Sequence, residues 1–109
     1  MSDDDAPLGN QSGTGVPASA ISKELLIINK RGLHARASAK FVQAVERFNA
    51  QVWVTRGGET VGGTSIMGLM MLSAGPGTTI TVSAIGPDAD AVVNAITELV
   101  DSKFNEESM

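Results

Sequence analysis

A chain of 109 residues, with 12 acidic and 8 basic side chains and a net charge of −4, has room for one small domain around a modest core. Asp3, Asp4 and Asp5 supply most of that charge, so the remainder is near neutral, and with one Trp, three Phe and no Tyr it offers neither the basic surface nor the stacking rings of a nucleic-acid binder. The absence of Cys excludes disulfides and thiolate metal sites and permits a cytoplasmic setting, and no apolar run approaches the ~20 residues of a membrane span.

Residues 1–20, MSDDDAPLGNQSGTGVPASA, mix Gly, Ser, Pro, Asp and Asn without a hydrophobic period. So little apolar surface does not offset a chain entropy of ~1–2 kcal/mol per residue, so a disordered N-terminal tail is expected. It has neither the basic start nor the apolar segment of a secretory signal. The folded domain is expected to span 21–104, with 105–109 as a short C-terminal tail.

Glu24 to Ile28 (ELLII), bounded by Asn29 and Gly32, reads as a strand. Ala37, Phe41, Val45 and Phe48 recur at helical spacing, which predicts a helix from Ala35 to Phe48 closed by Asn49 as a left-handed cap. Gln51 to Thr55 and Glu59 to Gly62 flank Gly57-Gly58 as a hairpin. Thr64 or Ser65 caps a short helix from Ile66 to Leu72, and Gly75-Pro76-Gly77 breaks the chain. Thr79 to Ala84 alternates polar and apolar residues, as a strand with one wet face does. After a Gly86-Pro87-Asp88 turn and cap, a last helix runs from about Ala89 to Lys103 with Val92, Val93, Ile96, Leu99 and Val100 inward. The order β-α-β-β-α-β-α is satisfied by an α+β fold, a four-stranded antiparallel sheet with three helices on one face.

The only histidine, His34, lies in NKRGLHARASAKF, a stretch without an acidic residue. An isolated histidine beside basic residues is most often just the end of an element. Here, however, it directly precedes a helix whose first backbone N–H groups lack intrahelical partners, which together with the helix dipole form an anion site. Arg36 adds a forked cation. The positive helix end and the nearby cations favour a neutral imidazole, whose free nitrogen can act as a nucleophile. The set suits acceptance of a phosphoryl group. No GxxxxGK[ST] loop and no acid–histidine cluster is present, so neither a nucleotide, a metal nor any other cofactor is expected, and the phosphoryl group has to come from a partner that already carries it.

Gly32-Leu33-His34-Ala35-Arg36 followed by Phe41, together with Ser65-Ile66-Met67-Gly68-Leu69-Met70, resembles the active-site and regulatory-serine segments of HPr, the histidine-containing phosphocarrier family of the bacterial phosphoenolpyruvate-dependent phosphotransferase system. The resemblance runs from about Lys23 to Lys103 and implies that family's open-faced β-sandwich. It implies that His34 is phosphorylated at Nδ1 by enzyme I and passes the group to enzyme IIA proteins in sugar uptake, while Arg36 holds the phosphate. The alternative is a nitrogen-type regulatory phosphocarrier. The family usually has Pro after the Arg, where this chain has Ala37. In a first helical turn that change costs little and adds an N–H.

Ser65 is explained by capping alone. The resemblance adds phosphorylation there by HPr kinase/phosphorylase, although the kinase-regulated members commonly have Lys where this chain has Thr64. The segment from Ile66 to Leu72 is too apolar for one short helix to bury. Ile66, Met67 and Met70, with Arg31, Ala39, Lys40 and Gln43, are therefore expected to form a partner-docking surface in which adaptable Met side chains serve several partners. A cytoplasmic monomer that binds no nucleic acid and enters no membrane is the expectation.

Overall fold

In a computed structural model that describes residues 15–106, the elements follow in the expected order: β1 (Ile21–Leu26), α1 (Ala35–Glu46), β2 (Gln51–Arg56), β3 (Glu59–Gly62), α2 (Ile66–Met71), β4 (Thr79–Ile85) and α3 (Ala89–Asp101), with a short turn of 3-10 type at Lys103–Asn105. Of the N-terminal tail expected over 1–20, residues 1–14 lie outside the described residues, as do 107–109 of the short C-terminal tail expected over 105–109. The strands form one antiparallel sheet in the order β1-β4-β2-β3. The period-two alternation decides its faces. Val52 and Val54 of β2 and Ile80, Val82 and Ala84 of β4 are buried, and they form one core with Phe41 and Val45 of α1, Leu69 of α2 and Val92, Ile96 and Val100 of α3. The other face carries Thr55 and Thr81, half exposed to solvent. This is the open-faced sandwich, with its three helices on one side.

Beside single-residue shifts at the ends of β2, α2 and β4, three elements differ more from the sequence expectation, each for a tertiary reason. Strand β1 begins at Ile21 rather than Glu24 because its partner is β4, with register from Ile21 opposite Ala84 to Leu26 opposite Thr79. Ile27 and Ile28 lie past the end of that ladder; Ile27 is buried and Ile28 is exposed. Helix α1 stops at Glu46, and Asn49 is not a left-handed cap. Instead its N–H donates to the Asp88 carboxylate at 2.7 Å and its carbonyl accepts the Asp88 N–H at 3.1 Å, which ties the end of α1 to the start of α3.

The third difference is at the C-terminus. Helix α3 ends at Asp101, and Lys103, Phe104 and Asn105 then take φ of 59°, 55° and 59°. A left-handed conformation costs an L-residue about 1–2 kcal/mol. The run is offset in part by Phe104, which enters the core with 0% exposure, a burial worth about 1.5–3 kcal/mol. The Lys40 ammonium of α1 also donates to the Phe104 carbonyl. This turn sends the chain back toward the start of α1.

Candidate functional site

The loop between β1 and α1 is built around Asn29 and Gly32. Asn29 is fully buried; its carbonyl accepts the Gly32 N–H at 3.2 Å and its Nδ2 donates to the Gly32 carbonyl at 2.9 Å. Gly32 adopts φ +63°, and a Cβ there would stand 2.2 Å from the Ala74 carbonyl oxygen. That carbonyl accepts the Leu33 N–H at 2.9 Å, and the Leu33 side chain is buried. The residue before His34 is therefore fixed by both backbone and side chain.

His34 is the N-cap of α1, with extended backbone at φ −77° and ψ −176°. Its carbonyl accepts the Ser38 N–H at 2.8 Å, and the Ser38 hydroxyl donates back to the Leu33 carbonyl at 3.2 Å. The imidazole makes no capping bond. The N–H groups of Ala35, Arg36 and Ala37 have no acceptor among the described residues, as expected for the first turn of a helix. Arg36 is exposed and makes no ion pair among the described residues. An open pocket of about 210 Å³ is lined by Arg31, Leu33, His34, Ser73, Ala74 and Gly75. Ser73 itself is left-handed at φ 55°, just past α2.

The feature absent from the sequence reading is Glu106, 72 residues downstream of the histidine. The C-terminal turn brings its carboxylate onto His34, where Oε2 accepts from Nε2, while Oε1 accepts from Asn29 Nδ2 at 3.0 Å. His34 and Glu106 side chains retain 23% and 11% exposure, so the contact is largely shielded from water. Burial pushes the Glu106 carboxyl up, but hydrogen bonds from Asn29 and His34 and the positive charges of His34 and Lys40 outweigh it and hold the group below its ordinary 4.5. A carboxylate only accepts hydrogen bonds, so Nε2 carries the hydrogen, and in the neutral form of the ring the lone pair lies on Nδ1. Among the described residues Nδ1 has no partner. The basic stretch thus receives its acid from the other end of the chain.

The remaining candidates fall around this centre. Ser65 is exposed and caps α2, its Oγ accepting the Gly68 N–H at 2.9 Å. Leu69 and Leu72 are buried, while Ile66 and Met70 are 39% and 40% exposed and Met67 and Met71 reach 70%. Helix α2 packs on α1, and the loop after α2 lines the His34 pocket, so this apolar surface lies on the same flank of the molecule. Arg31 and Gln43 are exposed, Ala39 and Lys40 half-buried. Lys40 is engaged with the Phe104 carbonyl, so it braces the C-terminal turn as well as bordering the surface.

Comparison with known proteins agrees with this architecture. A family profile described as "PTS HPr component phosphorylation site" matches residues 21–102. The phosphocarrier protein HPr of Neisseria meningitidis is 46% identical over 86 residues, covering 79% of this chain and 97% of that one. The phosphocarrier protein NPr of Shewanella violacea is 42% identical over 88 residues, covering 81% and 97%. Among solved structures, HPr of Thermoanaerobacter tengcongensis superposes with a TM-score of 0.76 at 40% identity, covering 79% of this chain and 97% of that one. With a matching profile over most of its length, relatives of this identity and the same sandwich, this chain belongs to the HPr family of phosphocarrier proteins of the phosphotransferase system.

Proposed function

We propose that His34 accepts a phosphoryl group at Nδ1 from phosphorylated enzyme I and passes it to enzyme IIA proteins of the phosphoenolpyruvate-dependent phosphotransferase system. One observation carries this reading. His34 caps the twelve-residue helix α1, and among the described residues its Nδ1, the first-turn N–H groups beside it and the guanidinium of Arg36 have no partner. The lone pair on Nδ1 attacks phosphorus as the donor's bond to phosphorus breaks, and that bond's electron pair stays on the donor atom. The amides and Arg36 meet the charge on the phosphoryl oxygens. No proton has to move, because the one on Nε2 stays in place. The return transfer runs through the same geometry.

In this reading residues 21–104 form the phosphocarrier domain, which works as a cytoplasmic monomer. Ile66, Met67 and Met70, with Arg31, Ala39, Lys40 and Gln43, form the face that docks on partners. Apolar contact inside a positive rim favours partners with an acidic, apolar face. A carrier has to release after each transfer, which suits an interface near or below ~1,200 Å². Phosphorylation of Ser65 by an HPr kinase/phosphorylase would place about two negative charges at the head of α2, tolerated by the helix but opposed to docking. The likeness to the Shewanella violacea NPr supports a second reading, in which the phosphorylation state regulates partner proteins rather than feeding sugar transport.

Incubation of the full chain with enzyme I and labelled phosphoenolpyruvate tests the proposal. Acid-labile, alkali-stable label on the wild type and none on folded His34→Ala is expected; label retained by His34→Ala would refute it. The enzyme IIA proteins that then take up the label distinguish sugar transport from regulation.

A further inference from the structure

We propose that Glu106 is a positioning residue for phosphoryl transfer: held by Asn29, its carboxylate keeps the proton of His34 on Nε2, turns the lone pair of Nδ1 outward, and stabilises the ring when Nδ1 carries phosphate. The inference rests on the function proposed above and assigns to it residues at the far end of the chain.

The geometry is specific. Both hydrogens of the buried Asn29 amide have acceptors, the Gly32 carbonyl at 2.9 Å and Glu106 Oε1 at 3.0 Å. Its orientation is therefore determined, and with it the position of the carboxylate. The second oxygen, Oε2, meets Nε2 of His34. This is a relay of the kind in which a carboxylate selects an imidazole tautomer and fixes the ring plane. The same Asn29 closes the tight turn at Gly32, so one amide registers the histidine loop and the C-terminal turn against each other.

The backbone beyond α3 points the same way. Three consecutive non-glycine residues, Lys103, Phe104 and Asn105, are held left-handed, and strain of this sort persists where surrounding contacts over-determine it, which is most often at functional sites. Here the contacts are the buried Phe104 ring, the Lys40 ammonium on the Phe104 carbonyl, and the Asn29–Glu106 bond. Their joint result is to deliver one carboxylate to one imidazole nitrogen. When Nδ1 takes up phosphate with Nε2 still protonated, the ring becomes an imidazolium. The carboxylate faces that charge from the side opposite the phosphoryl group, and the relay needs no further proton acceptor.

The test uses the full chain and three variants, Glu106→Ala, Glu106→Gln and Glu106→Asp, each checked for unchanged sheet and helix signals. In proton and nitrogen NMR the wild type is expected to show a downfield, exchange-protected Nε2–H resonance. This resonance is lost in Glu106→Ala and retained in part by Glu106→Asp. The rate of phosphoryl uptake from phosphorylated enzyme I is expected to fall about tenfold in Glu106→Ala, the low end for a charge-assisted hydrogen bond with a partly exposed partner. Glu106→Gln keeps an acceptor without the charge and is expected between the two. An unprotected Nε2–H in the wild type, or uptake by Glu106→Ala at the wild-type rate, overturns the assignment. Failure of the wild type itself to take up phosphate would instead refute the proposed function, and the NMR result stands apart from that outcome.

Discussion

Gly32→Ala strikes the histidine loop at its tightest point. The added Cβ would lie 2.2 Å from the Ala74 carbonyl oxygen and 2.8 Å from the Gly75 Cα, both backbone atoms with no rotamer by which to turn away. At φ +63° the alanine also bears the left-handed penalty of about 1–2 kcal/mol. The Ala74 carbonyl can retreat only by releasing the Leu33 N–H it holds at 2.9 Å, and a buried donor left unmade costs about 1–3 kcal/mol. The loss is therefore about 2–5 kcal/mol out of a total near 5–15 kcal/mol. At about 4–8 °C per kcal/mol for a domain of this size, the melting temperature should fall by at least ~8 °C. Gly57→Ala is the control, since Gly57 has φ +60° with nothing within 4 Å of a Cβ and bears only the conformational penalty. Urea unfolding of both variants isolates the clash as their difference. Equal losses in the two would refute the argument, because the contact with Ala74 would then be relieved without cost and the placement of His34 would not depend on it.

Arg36→Ala is expected to leave urea unfolding unchanged while phosphoryl uptake slows by tenfold or more, the effect of losing one charge-assisted contact to the phosphate; equal rates would remove its assigned role. Ser65→Ala removes the bond to the Gly68 N–H and should cost about 1 kcal/mol in denaturant unfolding, whereas Ser65→Asp should weaken docking to enzyme I, measured by titration calorimetry, more than it lowers stability. The Glu106 carboxyl is held below its ordinary 4.5 in the folded chain, so on acidification the unfolded chain binds that proton first. Its contribution to stability is whole above 4.5 and is lost as pH falls through the lower folded value. The stability advantage of the wild type over Glu106→Gln should therefore narrow as pH drops below 4.5, and a gap that widens there would contradict the sign.

Much of the fold is legible because it follows from short-range pattern. The spacing of Ala37, Phe41 and Val45 places one face of α1 in the core, and the alternation of β4 puts Ile80, Val82 and Ala84 there too. Gly57-Gly58 closes the hairpin between β2 and β3. The proposed anion site is legible for the same reason: a helix start leaves its amides unpaired wherever it falls, and His34 and Arg36 are local to it. The misplaced boundaries are those set by partners far along the chain. No property of ELLII reveals that β1 begins at Ile21, because that depends on the length of β4 opposite it. Likewise Asn49 has the composition of a left-handed cap, yet Asp88 offers its backbone a stronger partner.

Glu106 was beyond such reading for a physical reason of its own. Its placement needs three left-handed residues in a row, a conformation that Lys, Phe and Asn do not prefer and that no propensity would assign to KFN. Only the tertiary contacts make it the lower state: a core with space for Phe104, a lysine on α1 within reach of its carbonyl, and a buried amide at Asn29 awaiting an acceptor. Each of those is itself unremarkable in sequence. An apolar residue four places beyond Val100 and an isolated Asn after a strand would suit many folds. The site therefore divides by range. The half proposed to bind the phosphoryl group is encoded within GLHAR, and the half proposed to orient the imidazole exists only once the last turn has closed on the first loop. If that division is right, a substitution that opens the turn, such as Phe104→Ala, should slow phosphoryl transfer in molecules that remain folded, even though Phe104 touches no reacting atom.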